Sequence, residues 1–129
     1  MIISPAAAHA EALQSGAGAV LRRCLARRGM LHSECEAVDQ IVLEPHARID
    51  HRGRAGVDEA WFVLSGTVTV DECDSAPWSL HAGQLMLSPA GARPHLSTGD
   101  LPVTLLLLAT LPDRYAAQLP PRIPELHHD

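Results

Sequence analysis

From Val38 to Thr110 the chain is cut by turn residues into segments too short for stable helices, most of them alternating or rich in β-branched and aromatic residues. Glu59–Leu64 is one such segment. Ser65-Gly66 follows as a two-residue turn signal, and Thr67–Val70 returns with alternating polarity. Val38–Leu43, closed by Pro45, is another strand, as are Trp78–His81, Gln84–Ser88 and Leu96–Thr98. Val103–Thr110 is continuously apolar, the pattern of a strand buried on both faces. Val20–Arg27 fits a helix or a strand. Strand is preferred, because everything downstream is β and such a strand can extend a sheet or a dimer contact. Seven or eight short strands with little helix between them predict an all-β sandwich or barrel.

The two ends read differently. Ser4-Pro5 before Ala6-Ala7-Ala8 reads as an N-cap, a first-turn proline and a short helix to about Ser15, stopped by Gly16 and Gly18. Asp113–Gln118 fits one or two helical turns, and the proline-rich stretch 119–124 fits an extended surface tail. The chain thus divides into an N-terminal helical segment, 1–18, a β-barrel, 19–112, and a C-terminal extension, 113–129. His127-His128-Asp129 reads as a frayed terminus rather than a metal-binding tail.

Composition removes several functions. The 129 residues are 47% hydrophobic and 19% charged, which is globular composition. All ten basic residues are arginine, so lysine Schiff-base and lysine general-base chemistry are excluded. The net charge is −5, and no basic stripe follows a phosphate backbone, so no nucleic-acid partner is expected. Cys24, Cys35 and Cys73 lack C-x-x-C spacing and read as thiols of a reducing compartment. The first thirteen residues make a poor signal peptide. The longest apolar run, 101–112, is far short of the ~20 residues a membrane helix needs. A cytoplasmic protein with no membrane partner is expected.

Two stretches carry a family resemblance. The first runs Pro45-His46-Ala47-Arg48-Ile49-Asp50-His51-Arg52-Gly53-Arg54, then Asp58-Glu59-Ala60-Trp61-Phe62-Val63-Leu64-Ser65-Gly66. The second runs Gly83-Gln84-Leu85-Met86-Leu87-Ser88-Pro89-Ala90-Gly91-Ala92-Arg93-Pro94-His95. Over residues 38–110 they resemble the two motifs of the cupin superfamily, G-x5-H-x-H-x(3,4)-E-x6-G and G-x5-P-x-G-x2-H-x3-N. The resemblance implies a double-stranded β-helix, the jelly-roll barrel, and a common tendency to dimerise. Glu59, Gly66, Gly83, Pro89 and Gly91 match. His46 stands at the opening glycine, and Thr98-Gly99 replaces the asparagine.

The ligand half of the pattern departs from the family. In strict register Arg52 and Arg54 stand where cupins carry two metal-binding histidines, and a guanidinium has no lone pair to give a metal. His95 comes one residue late. A longer-loop register instead brings His51, Glu59 and His95 together as a two-histidine, one-carboxylate set, at the cost of one inserted residue in each motif. Both registers remain open. The reading favours no bound cofactor over a divalent metal such as Fe, Zn, Mn or Ni.

Several side chains have a structural and a functional reading. Alternation places Glu59, Trp61 and Val63 on one face. Trp61 is then core, or the apolar wall of a ligand cavity with Met86 and Ser88 nearby. Arg52 and Arg54 share a face, either as solvated loop residues or as paired donors that hold a substrate anion. Glu59 is an ion-pair partner of one of them, or a general acid or base with His95 as its second member. By resemblance, the expected function is a homodimeric small-molecule enzyme of bacterial specialised, polyketide-like metabolism. Its chemistry would be proton transfer: isomerisation, cyclisation or dehydration. The alternatives are a metal-dependent oxygenase and a non-catalytic ligand-binding barrel.

Overall fold

The computed structural model describes residues 11–14, 17–27, 35–50 and 56–119. Ten strands account for most of them: β1 Glu11–Gln14, β2 Ala19–Arg27, β3 Cys35–Leu43, β4 Arg48–Asp50, β5 Glu59–Ser65, β6 Thr67–Asp71, β7 Trp78–His81, β8 Leu85–Ser88, β9 His95–Ser97 and β10 Val103–Thr110. One short helix, α1 Asp113–Ala116, follows. The strands form two sheets with antiparallel pairing throughout. One is six-stranded, in the order β1-β2-β3-β10-β5-β8, and the other four-stranded, in the order β4-β9-β6-β7. This is the expected all-β jelly-roll barrel.

The core lies between the sheets and follows from period-two alternation. Ala37, Asp39, Ile41 and Leu43 of β3, Val63 and Trp61 of β5, and Val68 and Val70 of β6 all turn inward and are buried. Leu96 of β9 and Ile49 of β4 close the same cluster from the smaller sheet. The turns hold this arrangement. Gly66 links β5 to β6 at φ 84°, and a Cβ there would stand 2.6 Å from the Pro102 carbonyl oxygen, so glycine is required. His46 also adopts a left-handed conformation, with φ 59°. The family's opening glycine falls at this position, and the backbone shape is kept although the residue is not. Thr98 fastens the same turn: its hydroxyl accepts from the Ala47 N–H at 2.9 Å and donates to the Glu44 carbonyl at 2.6 Å.

Two expectations are corrected. The N-terminal helix was expected to reach Ser15, but Glu11–Gln14 is a strand paired with β2. A short alanine-rich helix is marginal in water, and an open sheet edge offers its backbone a full set of partners. That pairing covers only Ala19–Arg22 of the β2 edge. Finally, β10 is not buried on both faces. Val103, Leu105, Leu107 and Ala109 point inward, whereas Leu108 is exposed on the outer face. The continuous apolar run conceals two different environments. Among the described residues, no helix is long and apolar enough to cross a membrane.

Candidate functional site at the inner end of the large sheet

Glu59 opens β5 and lies opposite Ser88, the last residue of β8; Trp61 lies opposite Met86. All four face the interior, with Glu59 only 4% exposed and Trp61 1% exposed. The expected grouping of Glu59, Trp61, Met86 and Ser88 is therefore realised on one inner surface. Across β10 the same two rows continue through Ala109 to Ala37, and through Leu107 to Asp39. The small side chains of Ala37, Ala109 and Ser88 flank Glu59, while the large ones of Trp61, Met86 and Leu107 form an apolar floor beside it. Glu59 and Trp61 each take part in a further interaction.

Asp58 fixes the approach to this surface. Its backbone is clamped to Thr110 by three hydrogen bonds, including Thr110 N–H to Asp58 O at 3.0 Å. Its carboxylate accepts from the Ala90 N–H at 2.8 Å. The turn after Pro89, closed by Ala92 N–H to Pro89 O at 3.0 Å, is thereby tied to the start of β5. The β5–β8 ladder sets the spacing between Glu59 and Ser88, and this tether closes its end.

The structure adds a charged pair that sequence reasoning missed. Asp39 is inward-facing and its side chain is 0% exposed. Arg22 of β2 donates to one of its oxygens through Nε at 2.9 Å and Nη2 at 2.7 Å. Arg22 stands in register with Ile41, hence on the inner face, and is only partly exposed. The two residues are 17 apart in sequence, and only strand pairing brings them together. An aspartate in the apolar alternation of β3 was the one available signal.

His95 is placed elsewhere. Pro94, Leu96 and Thr98 are buried on the inner side of their segment, so His95 and Ser97 face the other way. Pro94 stands at the position where strict motif register expects a ligand histidine, and it is fully buried. The second motif therefore contains no inserted residue, and the late histidine is turned away by strand alternation. His95 Nδ1 instead lies 2.9 Å from the Asp50 carboxylate. Arg48 Nε donates to the same oxygen. These two bonds, Arg48 first and His95 second, hold the Asp50 carboxyl below its ordinary range. The expected Glu59–His95 acid–base pair is not assembled.

The same parity bears on a metal. Of the His51, Glu59 and His95 set, Glu59 faces inward and His95 outward, and His51 lies outside the described residues, as do Arg52 and Arg54. Among the described residues, no three His, Cys, Asp or Glu side chains converge as a metal-binding group. Glu59 and His95, the two described members of that set, therefore do not face one site. A cleft of about 380 Å³ lies outside the barrel between residues 72–75 and 91–93, and none of the expected site residues lines it.

No family model and no curated protein matches the sequence. Solved structures do. A predicted oxalate decarboxylase from Thermotoga maritima superposes with a TM-score of 0.72 at 16% identity, over 86% of this chain and 99% of that one. A Cupin 2 conserved barrel domain protein from Salinispora arenicola gives 0.64 at 18% identity, over 78% and 85%. The Cupin 2 domain of an XRE-family transcriptional regulator from Enterobacter cloacae gives 0.59 at 24% identity, over 72% and 97%. Likeness at these identities concerns architecture, and it agrees with the motif glycines, the strand order and the inward rows: the chain is a small cupin-fold domain.

Proposed function

We propose that the protein is a small-molecule enzyme of the cupin fold that moves a proton with Glu59 at the inner end of its larger sheet. The observation that carries this reading is the position of the Glu59 carboxyl. It is buried on the barrel's inner face, between small residues and beside the Trp61–Met86 floor. The small side chains of Ala37, Ala109 and Ser88 leave room beside it for a bound molecule. A carboxyl at a strand end facing that room can take a proton from a bound substrate and return it to a neighbouring atom. Ser88, directly opposite, would orient the substrate by hydrogen bonding.

The arginines that precede Glu59 in sequence suggest the substrate class. Arg52 and Arg54 would supply planar donors. Together they suit a small organic anion, a carboxylate or an enolate, and the reaction class is isomerisation, cyclisation or dehydration. The three free thiols are compatible with a reducing compartment, as a cytoplasmic enzyme would have.

A second reading keeps the cavity and drops the chemistry. The likeness to the Cupin 2 domain of a transcriptional regulator supports a barrel that only binds its ligand. One experiment separates the two. A panel of small 2-oxo and 3-oxo carboxylates is screened by ligand-observed NMR, and binders are then incubated in D2O. The enzyme reading expects protein-dependent deuterium incorporation next to the carbonyl, lost in Glu59→Gln with binding retained. Binding without exchange in the wild type supports the binding module, and no binding by any member contradicts both.

A further inference from the structure

The cleft between residues 72–75 and 91–93 lies outside the barrel and plays no part in the Glu59 chemistry. Its origin is topological. β6 and β9 are paired as far as Asp71 and His95, and beyond that last pair the two chains separate into turns. The β6–β7 turn is closed by Ser75 N–H to Glu72 O at 3.1 Å. The β8–β9 turn is closed by Ala92 N–H to Pro89 O at 3.0 Å. Gly91, at φ 91°, has the conformation that the third position of a type II turn takes. Asp58 anchors this second turn through the Ala90 N–H. Both walls are therefore hydrogen-bonded turns. The cleft they hold, about 380 Å³, is within the roughly 300–1,000 Å³ of small-molecule sites.

The side chains that line it are of both signs. Glu72 and Asp74 stand on one wall and Arg93 on the other, with Cys73 and Ala92 beside them as small apolar groups. Among the described residues, Arg22 pairs with Asp39 and Arg48 with Asp50, whereas no ion pair joins Arg93 to either carboxylate across the cleft. We propose that the cleft is a binding site for a basic amino acid, a compact molecule with one carboxylate, two cationic groups and a short methylene chain. The match is one of charge count and placement. Arg93 offers a planar guanidinium to the carboxylate. Glu72 and Asp74 take one cationic group each, and the methylene chain lies against Cys73 and Ala92. The net charge of −5 favours the approach of a net-positive ligand. A diamine leaves Arg93 without its anion, and a dicarboxylate brings like charge to the acidic wall, so the same three residues discriminate against both.

The test is a titration of the intact chain followed by amide NMR, with L-arginine as the probe and putrescine and L-glutamate as comparisons. The charges that line the cleft belong to exposed residues, so the expected dissociation constant for L-arginine is only about a millimolar. The amides of residues 72–75 and 91–93 should carry the shifts. Putrescine should bind at least about fivefold more weakly, and L-glutamate should not bind below about 20 mM. Arg93→Gln should weaken L-arginine about two- to fivefold, and Glu72→Gln with Asp74→Asn about tenfold. Ala92→Leu, which fills the cleft at unchanged charge, should abolish binding. Arg114→Gln, at an exposed arginine outside the cleft, should leave it unchanged. Amide shifts remote from the cleft show that each variant is folded. L-Arginine that shifts no cleft amide up to about 20 mM overturns the proposal. L-Glutamate binding more tightly than L-arginine overturns it as well, as do L-arginine shifts that centre on the Trp61 indole inside the barrel.

Discussion

Replacing Trp61 with alanine distinguishes a filled interior from a hydrated one. Trp61 is 1% exposed, with Met86 opposite it on one side and Leu107 on the other. A buried tryptophan removes about 200 Å² from water, and at ~25 cal/mol per Å² this corresponds to roughly 5 kcal/mol. Alanine retains about a fifth of that area, which leaves a loss of about 4 kcal/mol, within the ~3–5 kcal/mol typical of such truncations. For a chain of this length, Tm should fall by roughly 12–20 °C, at about 3–5 °C per kcal/mol. Urea unfolding followed by far-UV circular dichroism measures the change, with Leu101→Ala as the control. Leu101 is 75% exposed, so its truncation should stay within about 0.5 kcal/mol. A Trp61→Ala loss below about 2 kcal/mol would refute the packing argument, because the indole would then already border water.

Further expectations concern backbone and charge. Gly66→Ala should cost at least about 2 kcal/mol, combining left-handed strain with the collision against Pro102, whereas His46→Gly should lie within about 1 kcal/mol of wild type. The same urea titration measures both, and equal losses would contradict the assigned turn geometry. Asp50 should titrate below the ordinary carboxylate range in a carboxyl 13C NMR experiment. Arg48→Gln should raise its pKa more than His95→Asn does. Because the folded pKa is the lower one, the contribution of Asp50 to stability is present above its unfolded pKa and fades as pH falls through the folded value. A wild-type Asp50 titrating at or above the usual range would contradict the Arg48–Asp50–His95 geometry.

Much of the barrel was legible from local chemistry. Gly66, Gly83 and Gly91 all sit at positive φ, where turn residues were expected. The alternation of Glu59, Trp61 and Val63 gave the inner face of β5 before any pairing was known. What escaped the sequence depended on partners. The alanine-rich start had helical propensity, but its last four residues took the offered strand edge. The apolar run of β10 carried no periodicity to separate its inner leucines from the outer ones. Whether His95 belonged to the site turned on a single residue of register. A one-residue slip inverts every side chain, and only the burial of Pro94 and Leu96 decides it. The Arg22–Asp39 pair was out of reach because it joins two strands through long-range pairing.

Deuterium exchange of a bound oxo-carboxylate, compared between Glu59→Gln and His95→Asn, tests the assignment of the site most directly. With Glu59 inside the barrel and His95 turned toward Asp50, exchange should vanish in Glu59→Gln and persist within a few-fold of wild type in His95→Asn. Exchange that survives in Glu59→Gln but is lost in His95→Asn would contradict it.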